Sequence, residues 1–298
     1  MPPPAFPAKP TKFMKPDGST FTVSSVPGFL GLGLTGIVLQ HGNNALKIPR
    51  LQVTTDLPED EQYYVESTNQ MNEEQLENEK RIFQRLGSHI GIIPCIQISA
   101  EGIEIAYIKN GTLEDHIKNQ PPAADVLKAT WLRSVVDTLF YIHERGVIVN
   151  DIALRNILVG DDLSLHFIDF GHSSLQTLDP NDRLSANERV ESSPSMSPNS
   201  GDGYDESAIQ VDIFQLASVM YSITAWKKYE YNLYPPAPAD VVKVEISDNR
   251  LMCSWPSVDD LPDIKTNLCS NVILKGWMRK YSSVQQVRDE VYLALSTI

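Results

Sequence analysis

Three polar residues in the middle of the chain have types and a spacing that suit phosphoryl transfer. Asp151 and Asn156 lie within GVIVNDIALRNILV, residues 146–159, and Asp169 opens the Asp-Phe-Gly triplet that follows. One acid can position an acceptor hydroxyl and take its proton, while the other acid and the amide can hold Mg²⁺ against phosphates. Each residue alone could be an ordinary turn residue, but together and in this order they predict a catalytic site.

A glycine-rich segment near the N-terminus is a candidate phosphate-binding flap. Gly31, Gly33, Gly36 and Val38 form the pattern G-x-G-x-x-G-x-V. The pattern alone is weak, because glycines are common in turns between strands. A strand follows the glycines, whereas in a dinucleotide-binding fold the third glycine opens a helix, so that type of site is excluded. The phosphate-binding pattern that ends in G-K-[ST] is also absent. Lys47 lies on the next predicted strand and is a candidate phosphate-binding cation.

Composition excludes several classes of function. The chain has 298 residues, of which 42% are hydrophobic, and its 38 acidic and 25 basic side chains give a net charge of -13. This charge repels phosphate backbones and argues against nucleic acid as a partner. No apolar run approaches the ~20 residues of a membrane span, so no membrane partner is predicted. The three cysteines show no metal-binding spacing, which predicts reduced thiols and an intracellular protein, cytoplasmic or nuclear.

Strand patterns dominate the first third of the chain. Residues 1–20 contain six prolines and predict a flexible arm. Two or three strands are predicted over 26–47, with HGNN as a hairpin turn. Residues 51–72 indicate a polar excursion, and the spacing over 73–86 predicts a helix that ends at Gly87. The runs IIPCIQIS and IEIAYI then complete an antiparallel sheet.

Helical patterns dominate the rest of the chain. Residues 124–145 predict a buried helix that ends at Gly146. The run SLHFIDF alternates like a strand, and residues 172–207 form a long segment without periodicity, which is typical of a functional or disordered loop. VDIFQLASVMYSITAW and SSVQQVRDEVYLAL predict two further helices.

These features resemble the eukaryotic protein kinase family from about Phe29 to near the end of the chain, and the short kinase-like proteins of fungi are the nearest in character. The resemblance implies an α+β bilobal fold. Residues 21–108 would form an N-lobe with an antiparallel sheet and one helix, and residues 109–298 a mainly helical C-lobe. Residues 172–207 would be a long activation segment.

The resemblance also implies the site. Asp151 would be the catalytic base, with Arg155, placed as in the DLAARN loop of tyrosine kinases, supplying a cation. Glu79 would pair with Lys47, with Glu77 and Glu74 as alternatives. Asn156 and Asp169 would bind Mg²⁺. The residues that contact ATP would be Gly31, Gly33, Gly36, Val38, Ala45, Lys47, Ala106, Ile108, Asn156 and Asp169, with Ala106 and Ile108 offering backbone groups to adenine. Asp212 would hold the catalytic loop through its backbone amides.

The chain departs from the family at two positions before the catalytic aspartate. Val149 and Asn150 stand where the family has His and Arg, so the chain would be a non-RD kinase whose activity does not depend on a phosphate-binding arginine. The Ala-Pro-Glu motif at which the family's activation segment docks is also absent. The sequence favours an active kinase that modifies a protein on Ser or Thr rather than Tyr. A pseudokinase and a small-molecule phosphotransferase are the alternatives, and the oligomeric state stays open.

Overall fold

The computed structural model describes residues 11–55, 57–176, 206–233, 254–265 and 267–298. The described strands are β1 (Lys12–Met14), β2 (Thr20–Thr22), β3 (Phe29–Leu32), β4 (Gly36–His41), β5 (Asn44–Pro49), β6 (Leu51–Gln52), β7 (Cys95–Ile98), β8 (Ile103–Ala106), β9 (Val147–Ile148), β10 (Ile157–Val159), β11 (Leu165–Phe167) and β12 (Ser174–Leu175). The described helices are α1 (Glu59–Leu86), α2 (Leu113–Asn119), α3 (Asp125–Glu144), α4 (Glu206–Ala225), α5 (Ser270–Trp277) and α6 (Val284–Ala294). The predicted α+β fold with a sheet-rich and a helical lobe is confirmed.

The first lobe is built on a five-stranded antiparallel sheet in the order β3-β4-β5-β8-β7. The predicted HGNN hairpin joins β4 to β5, and Gly42 has a φ of 61° there, which glycine adopts without strain. Ile37 and Ile48 are 0% and 2% exposed on the outer side of this sheet. Helix α1 packs along β5 and β6 and ends at Gly87, as predicted.

Two predictions for the first lobe are wrong. The flexible arm expected over residues 1–20 contains β1 and the start of β2, because Phe13 and Phe21 each bury a ring against the sheet. Residues 1–10 lie outside the described part. The polar excursion expected over residues 51–72 contains β6 and the first half of α1. This half is mostly exposed and so has no apolar periodicity, while three acidic residues in its first turn suit the positive end of the helix dipole.

The second lobe is organised around α3 and α4. Helix α3 packs against α4 and α6, and α4 packs against α5. The stretch Ala208–Ala225 of α4 is long and apolar enough to cross a membrane, but 78% of it is buried inside the protein, as in a core helix. Residues 177–205 of the predicted activation segment lie outside the described residues.

Short strand pairs position the loop after α3. Strand β10 pairs with β11, and β9 pairs with β12, both antiparallel. The loop over residues 149–156 lies between β9 and β10, and residues 168–173 lie between β11 and β12. The two pairings therefore bring Asp151 and Asn156 into the same region as Asp169.

Candidate active site

A lysine and two acids form a buried ion-pair group between the sheet and α1. Nζ of Lys47, on β5, lies 2.6 Å from Oε2 of Glu79 and 2.7 Å from Oδ1 of Asp169. The side chains of Lys47 and Glu79 are 11% and 3% exposed, whereas that of Asp169 is 38% exposed. Glu77 and Glu74, the two alternatives from the sequence, bond to other residues of their own helix. The structure thus brings together three of the predicted site residues.

Gly36 leaves the space through which the lysine reaches the acids. A Cβ atom at Gly36 would lie 2.8 Å from Cε of Lys47, whereas non-bonded carbons normally stay ~3.5 Å or more apart. At Gly33 the nearest atom would be 3.4 Å away, and at Gly31 nothing lies within 4 Å. Of the three predicted flap glycines, Gly36 is therefore the one that the fold requires for space.

The charges in this group are coupled. Burial alone disfavours the charged form of Lys47, but Glu79 and Asp169 outweigh it and raise the pKa of the lysine above its ordinary value. Burial raises the pKa of Glu79. Burial also opposes ionisation of Asp169, but Lys47 outweighs burial and holds the pKa of Asp169 below its usual range. One lysine faces two carboxylates, so a further positive charge beside them would be electrostatically favourable.

A cavity opens beside the ion-pair group, under the flap. Its walls are Gly33, Thr35, Gly36, Val38, Lys47, Glu79, Phe83, Ile93, Ile103, Ile105, Ile168 and Asp169. The predicted nucleotide-contacting residues in this lining are Gly33, Gly36, Val38, Lys47 and Asp169. The predicted residues outside it are Gly31, Ala45, Ala106, Ile108 and Asn156. Apolar walls with charged groups at one end suit a ligand with a flat apolar part and an anionic part.

The carboxylate of Asp151 is held on both oxygens. Nη2 of Arg155 donates to Oδ1 at 2.6 Å, and Nδ2 of Asn156 donates to Oδ2 at 2.8 Å. Nη1 of Arg155 donates to Glu230, which follows α4. The sequence did not predict Glu230, because nothing in the spacing of residues 75 positions apart signals this contact. Asp151 and Arg155 are thus adjacent.

A buried aspartate anchors this loop to the second lobe. Asp212 on α4 is 0% exposed and accepts hydrogen bonds from the backbone N–H groups of Val149, at 2.8 Å, and Asn150, at 2.7 Å. Nε2 of His143 lies 2.8 Å from the same carboxylate. The loop that carries Asp151 is therefore fixed through its backbone.

The Asp-Phe-Gly triplet is bound to α1. Asp169 has a φ of 62°, which is uncommon outside glycine, asparagine and aspartate. Phe170 is 0% exposed and packs edge-to-face on Phe83 of α1, with ring centroids 5.3 Å apart. The N–H of Phe170 donates to Oε1 of Glu79 at 3.1 Å. Glu79 thus ties α1 both to the lysine and to the triplet.

Neutral hydrogen bonds hold the residues after the triplet. Asn150 has a φ of 64°, and its Nδ2 donates to the backbone oxygen of His172 at 3.0 Å and to Oγ of Ser174 at 3.3 Å. Nδ2 of Asn78 on α1 donates to the backbone oxygen of Ser173 at 2.7 Å. The role of Asn78 was not predicted, because an amide beside Glu79 on a charged helix gives no signal in the sequence.

Oxygen atoms of Asn156 and Asp169 fit a magnesium site. The backbone oxygen of Asn156 accepts a hydrogen bond from the N–H of Ile168 at 2.9 Å, which places Asn156 beside Asp169. Oδ1 of Asn156 accepts no hydrogen bond within the described part of the chain. Those residues contain no cluster of three or more His, Cys, Asp or Glu side chains that could hold a metal. Mg²⁺ is commonly bound by one or two protein oxygens together with phosphates and water, so this sparse donor set fits it.

Comparison with known proteins identifies a family. The family described as "Protein kinase domain" matches residues 62–291, well over half of the chain. The match begins inside α1, so it includes Glu79, Asp151, Asn156 and Asp169, whereas the flap and Lys47 precede it.

Curated relatives match over shorter stretches. An Aurora kinase of Candida glabrata is 36% identical over 66 residues, which are 22% of this chain and 18% of the relative. The serine/threonine-protein kinase kin-29 of Caenorhabditis elegans is 27% identical over 121 residues, 40% of this chain and 14% of the relative. The mitogen-activated protein kinase kinase kinase dlk-1 of the same organism is 26% identical over 113 residues, 38% of this chain and 12% of the relative. The chain therefore spans less than a fifth of the length of these relatives.

Proposed function

This chain belongs to the eukaryotic protein kinase family, and we propose that it is an active kinase that transfers the γ-phosphate of ATP to a protein hydroxyl. The observation that carries the proposal is the bonding of Lys47 to both Glu79 and Asp169 beside the cavity. Asp151 and Asn156 lie on the neighbouring loop. Each group meets a separate charge or proton demand of the reaction.

Asp151 acts as the base in this proposal. Its carboxylate accepts the proton of the acceptor hydroxyl while the hydroxyl oxygen bonds to the γ-phosphorus and the bond to the β–γ bridging oxygen breaks, releasing ADP. Arg155, at 2.6 Å from Asp151, supplies positive charge where the transferred phosphate becomes more negative. Lys47 holds the α- and β-phosphates, and Glu79 keeps the lysine in place.

Asn156 and Asp169 hold Mg²⁺, which when bound neutralises part of the phosphate charge. The flap residues Gly31, Gly33, Gly36 and Val38 cover the nucleotide. The adenine ring lies between the lobes, beside Ala106, the last residue of β8, and Ile108, two positions further along the chain. Ala45, which is 4% exposed, supports this part of the sheet from β5.

We further propose that the kinase is of the non-RD type and works without phosphorylation of its activation segment. In the family an arginine in the place of Asn150 binds a phosphate, which orders that segment. Here the amide of Asn150 bonds directly to residues 172 and 174. These bonds need no phosphate, which supports the proposal that residues 172–174 are held in place in the unmodified chain.

The acceptor is a Ser or Thr hydroxyl of a protein, in an intracellular setting in the cytoplasm or nucleus, with no nucleic acid or membrane as partner. The serine/threonine class of one relative and the net charge of -13 support this proposal. The test incubates the chain with labelled ATP, Mg²⁺ and a mixture of proteins, followed by phosphoamino-acid analysis. Labelled phosphoserine or phosphothreonine is expected, with loss of label in Asp151→Asn but not in Asp125→Asn, an exposed control on α3. Label on tyrosine alone would overturn the acceptor class.

The same assay, extended by a nucleotide-binding measurement and by an aminoalcohol as a possible acceptor, decides between this proposal and two others. A pseudokinase, which binds nucleotide without transfer, is favoured by the carboxylate of Asp151, whose two oxygens are already bonded to Arg155 and Asn156. It predicts nucleotide binding with no label on any protein. A small-molecule phosphotransferase predicts label on an aminoalcohol and none on protein.

A further inference from the structure

We propose that Arg50 is a positioning residue for the flap, which comprises residues 31–36. Arg50 connects the flap to β1 and β6, two strands that lie before the region matched by the family. The inference rests on the proposed function, because the role given to the flap is to hold the phosphates of ATP.

Arg50 bonds to three consecutive residues at the tip of the flap. Its Nη1 atom donates to the backbone oxygens of Gly33, at 3.3 Å, and Leu34, at 3.4 Å. Its backbone N–H donates to the backbone oxygen of Thr35 at 2.8 Å. Three carbonyl groups are thus directed toward Arg50, and this fixes the orientation of the peptide units that join them.

Little else holds this tip. The side chain of Leu34 is 80% exposed, so apolar burial does not secure it. The N–H of Gly33 donates to the backbone oxygen of Gly36, the first residue of β4, at 2.8 Å, which closes the turn between β3 and β4. Apart from β3 and β4, which lead into and out of the turn, the bonds to Arg50 are therefore what attaches the tip to the rest of the lobe among the described residues.

Arg50 is itself supported by two other elements. Its Cζ atom lies 5.9 Å from the ring centroid of Phe13, which is 2% exposed in β1. Its backbone oxygen accepts a hydrogen bond from Nδ2 of Asn72, on α1, at 2.7 Å. Strand β1 pairs with β6, which begins at the next residue, Leu51. The strands at the start of the chain, α1 and the flap therefore converge on one arginine.

A guanidinium group suits this position. It stays charged at any physiological pH and offers several donors in a fixed plane, so it can bond to two carbonyl groups at once. Its charge also lies beside a loop that is proposed to cover the triphosphate. Loss of the side chain should weaken binding of phosphates without affecting the recognition of adenine, which is proposed to lie between the lobes beside Ala106 and Ile108.

The test compares affinities for ATP with Mg²⁺ and for adenosine, by calorimetry, in wild type and in Arg50→Ala. We expect Arg50→Ala to weaken ATP binding about five- to tenfold, from the loss of two partly exposed hydrogen bonds, and to change adenosine binding less than about twofold. Arg50→Lys, which keeps the charge but not the planar donor set, should fall between the two. Lys15→Ala is the matched control. Lys15 packs over the ring of Phe21 on β2, the strand paired with β1, and makes no hydrogen bond to the flap among the described residues.

Amide hydrogen exchange of residues 31–36 without nucleotide separates this inference from the proposed function. We expect faster exchange in Arg50→Ala and unchanged exchange in Lys15→Ala. Phe13→Leu, which removes the ring beneath the guanidinium, should give a smaller increase than Arg50→Ala. If wild type binds no ATP, the proposed function fails, and exchange still decides the role of Arg50. Unchanged flap exchange in Arg50→Ala, or an equal loss of ATP and adenosine affinity, would overturn the inference.

Discussion

Replacing Lys47 by methionine should expose the electrostatic cost of the buried ion-pair group. Methionine fills most of the volume of the lysine stem, so loss of packing contributes little. The side chains of Lys47 and Glu79 are 11% and 3% exposed, so the substitution leaves a buried carboxylate without its cation. Removing one partner of a buried pair typically costs about 3–5 kcal/mol. Asp169, at 38% exposed, is partly screened by solvent and should add little to this cost.

The stability lost in Lys47→Met should also depend on pH, and the ionisation of Glu79 sets the direction of this dependence. Burial raises the pKa of Glu79, and in the variant Lys47 no longer opposes that shift. A carboxyl group whose pKa is higher in the folded than in the unfolded state stabilises the fold at low pH relative to high pH. The stability that its protonated form retains below the unfolded pKa is lost as the pH rises through the folded pKa. The stability difference between wild type and Lys47→Met should therefore widen from about pH 5 to about pH 8.

Urea denaturation followed by tryptophan fluorescence at these two pH values measures the effect. Lys80→Met is the matched control: the side chain of Lys80 is 7% exposed, but its partner Glu77 is 64% exposed and can be hydrated when unpaired. The control should lose less than about 1 kcal/mol. If Lys47→Met lost less than about 1 kcal/mol of unfolding free energy at about pH 8, or lost the same amount at both pH values, the electrostatic explanation would be refuted.

Three further predictions test other parts of the site. Asp212→Asn turns an amide NH₂ toward backbone N–H donors and should lower the free energy of unfolding in urea by about 3 kcal/mol; a loss below about 1 kcal/mol would speak against the anchor. Gly36→Ala places a Cβ 2.8 Å from Cε of Lys47 and should weaken ATP affinity roughly tenfold by calorimetry, and a change below about twofold would contradict this. Burial raises the pKa of Cys269 to about 11 and that of Cys95 above its ordinary value. The Cys269 thiol should therefore react with iodoacetamide at least ~10-fold more slowly in the folded than in the urea-unfolded chain, and the partly buried Cys95 thiol should also react more slowly. Equal rates in the two states would be incompatible with this burial.

The elements with strong periodicity could be predicted from the sequence. The hairpin around HGNN, the buried helix α3 and the apolar helix α4 all have clear apolar patterns. The bounds of the hairpin and of α3 lie close to those predicted, whereas α4 begins at Glu206, before the predicted start at Val211. The first half of α1 could not be found this way, because an exposed helix has no apolar stripe. Strand β1 was hidden among prolines, although one buried ring, that of Phe13, is enough to fix it.

The residues of the candidate site also fall into two groups: those that lie in sequence motifs and those that act through bonds to the backbone. Lys47, Asp151 and Asp169 lie in motifs, and the structure brings the lysine to within 2.7 Å of Asp169. Arg50 and Asn78 act through bonds to backbone oxygens of distant segments, and such bonds leave no pattern of residue types. These contacts depend on how the strands and α1 pack, so they became visible with the fold.

We propose that the chain transfers phosphate through Asp151 without phosphorylation of its activation segment. The most direct test measures the initial rate of labelled γ-phosphate transfer to a protein mixture by phosphatase-treated wild type and Asp151→Asn, with the ATP affinity of each determined separately. We expect transfer by wild type, and a rate at least ~100-fold lower in the variant with ATP affinity changed only slightly. Wild type that binds ATP but transfers phosphate no faster than Asp151→Asn would contradict it.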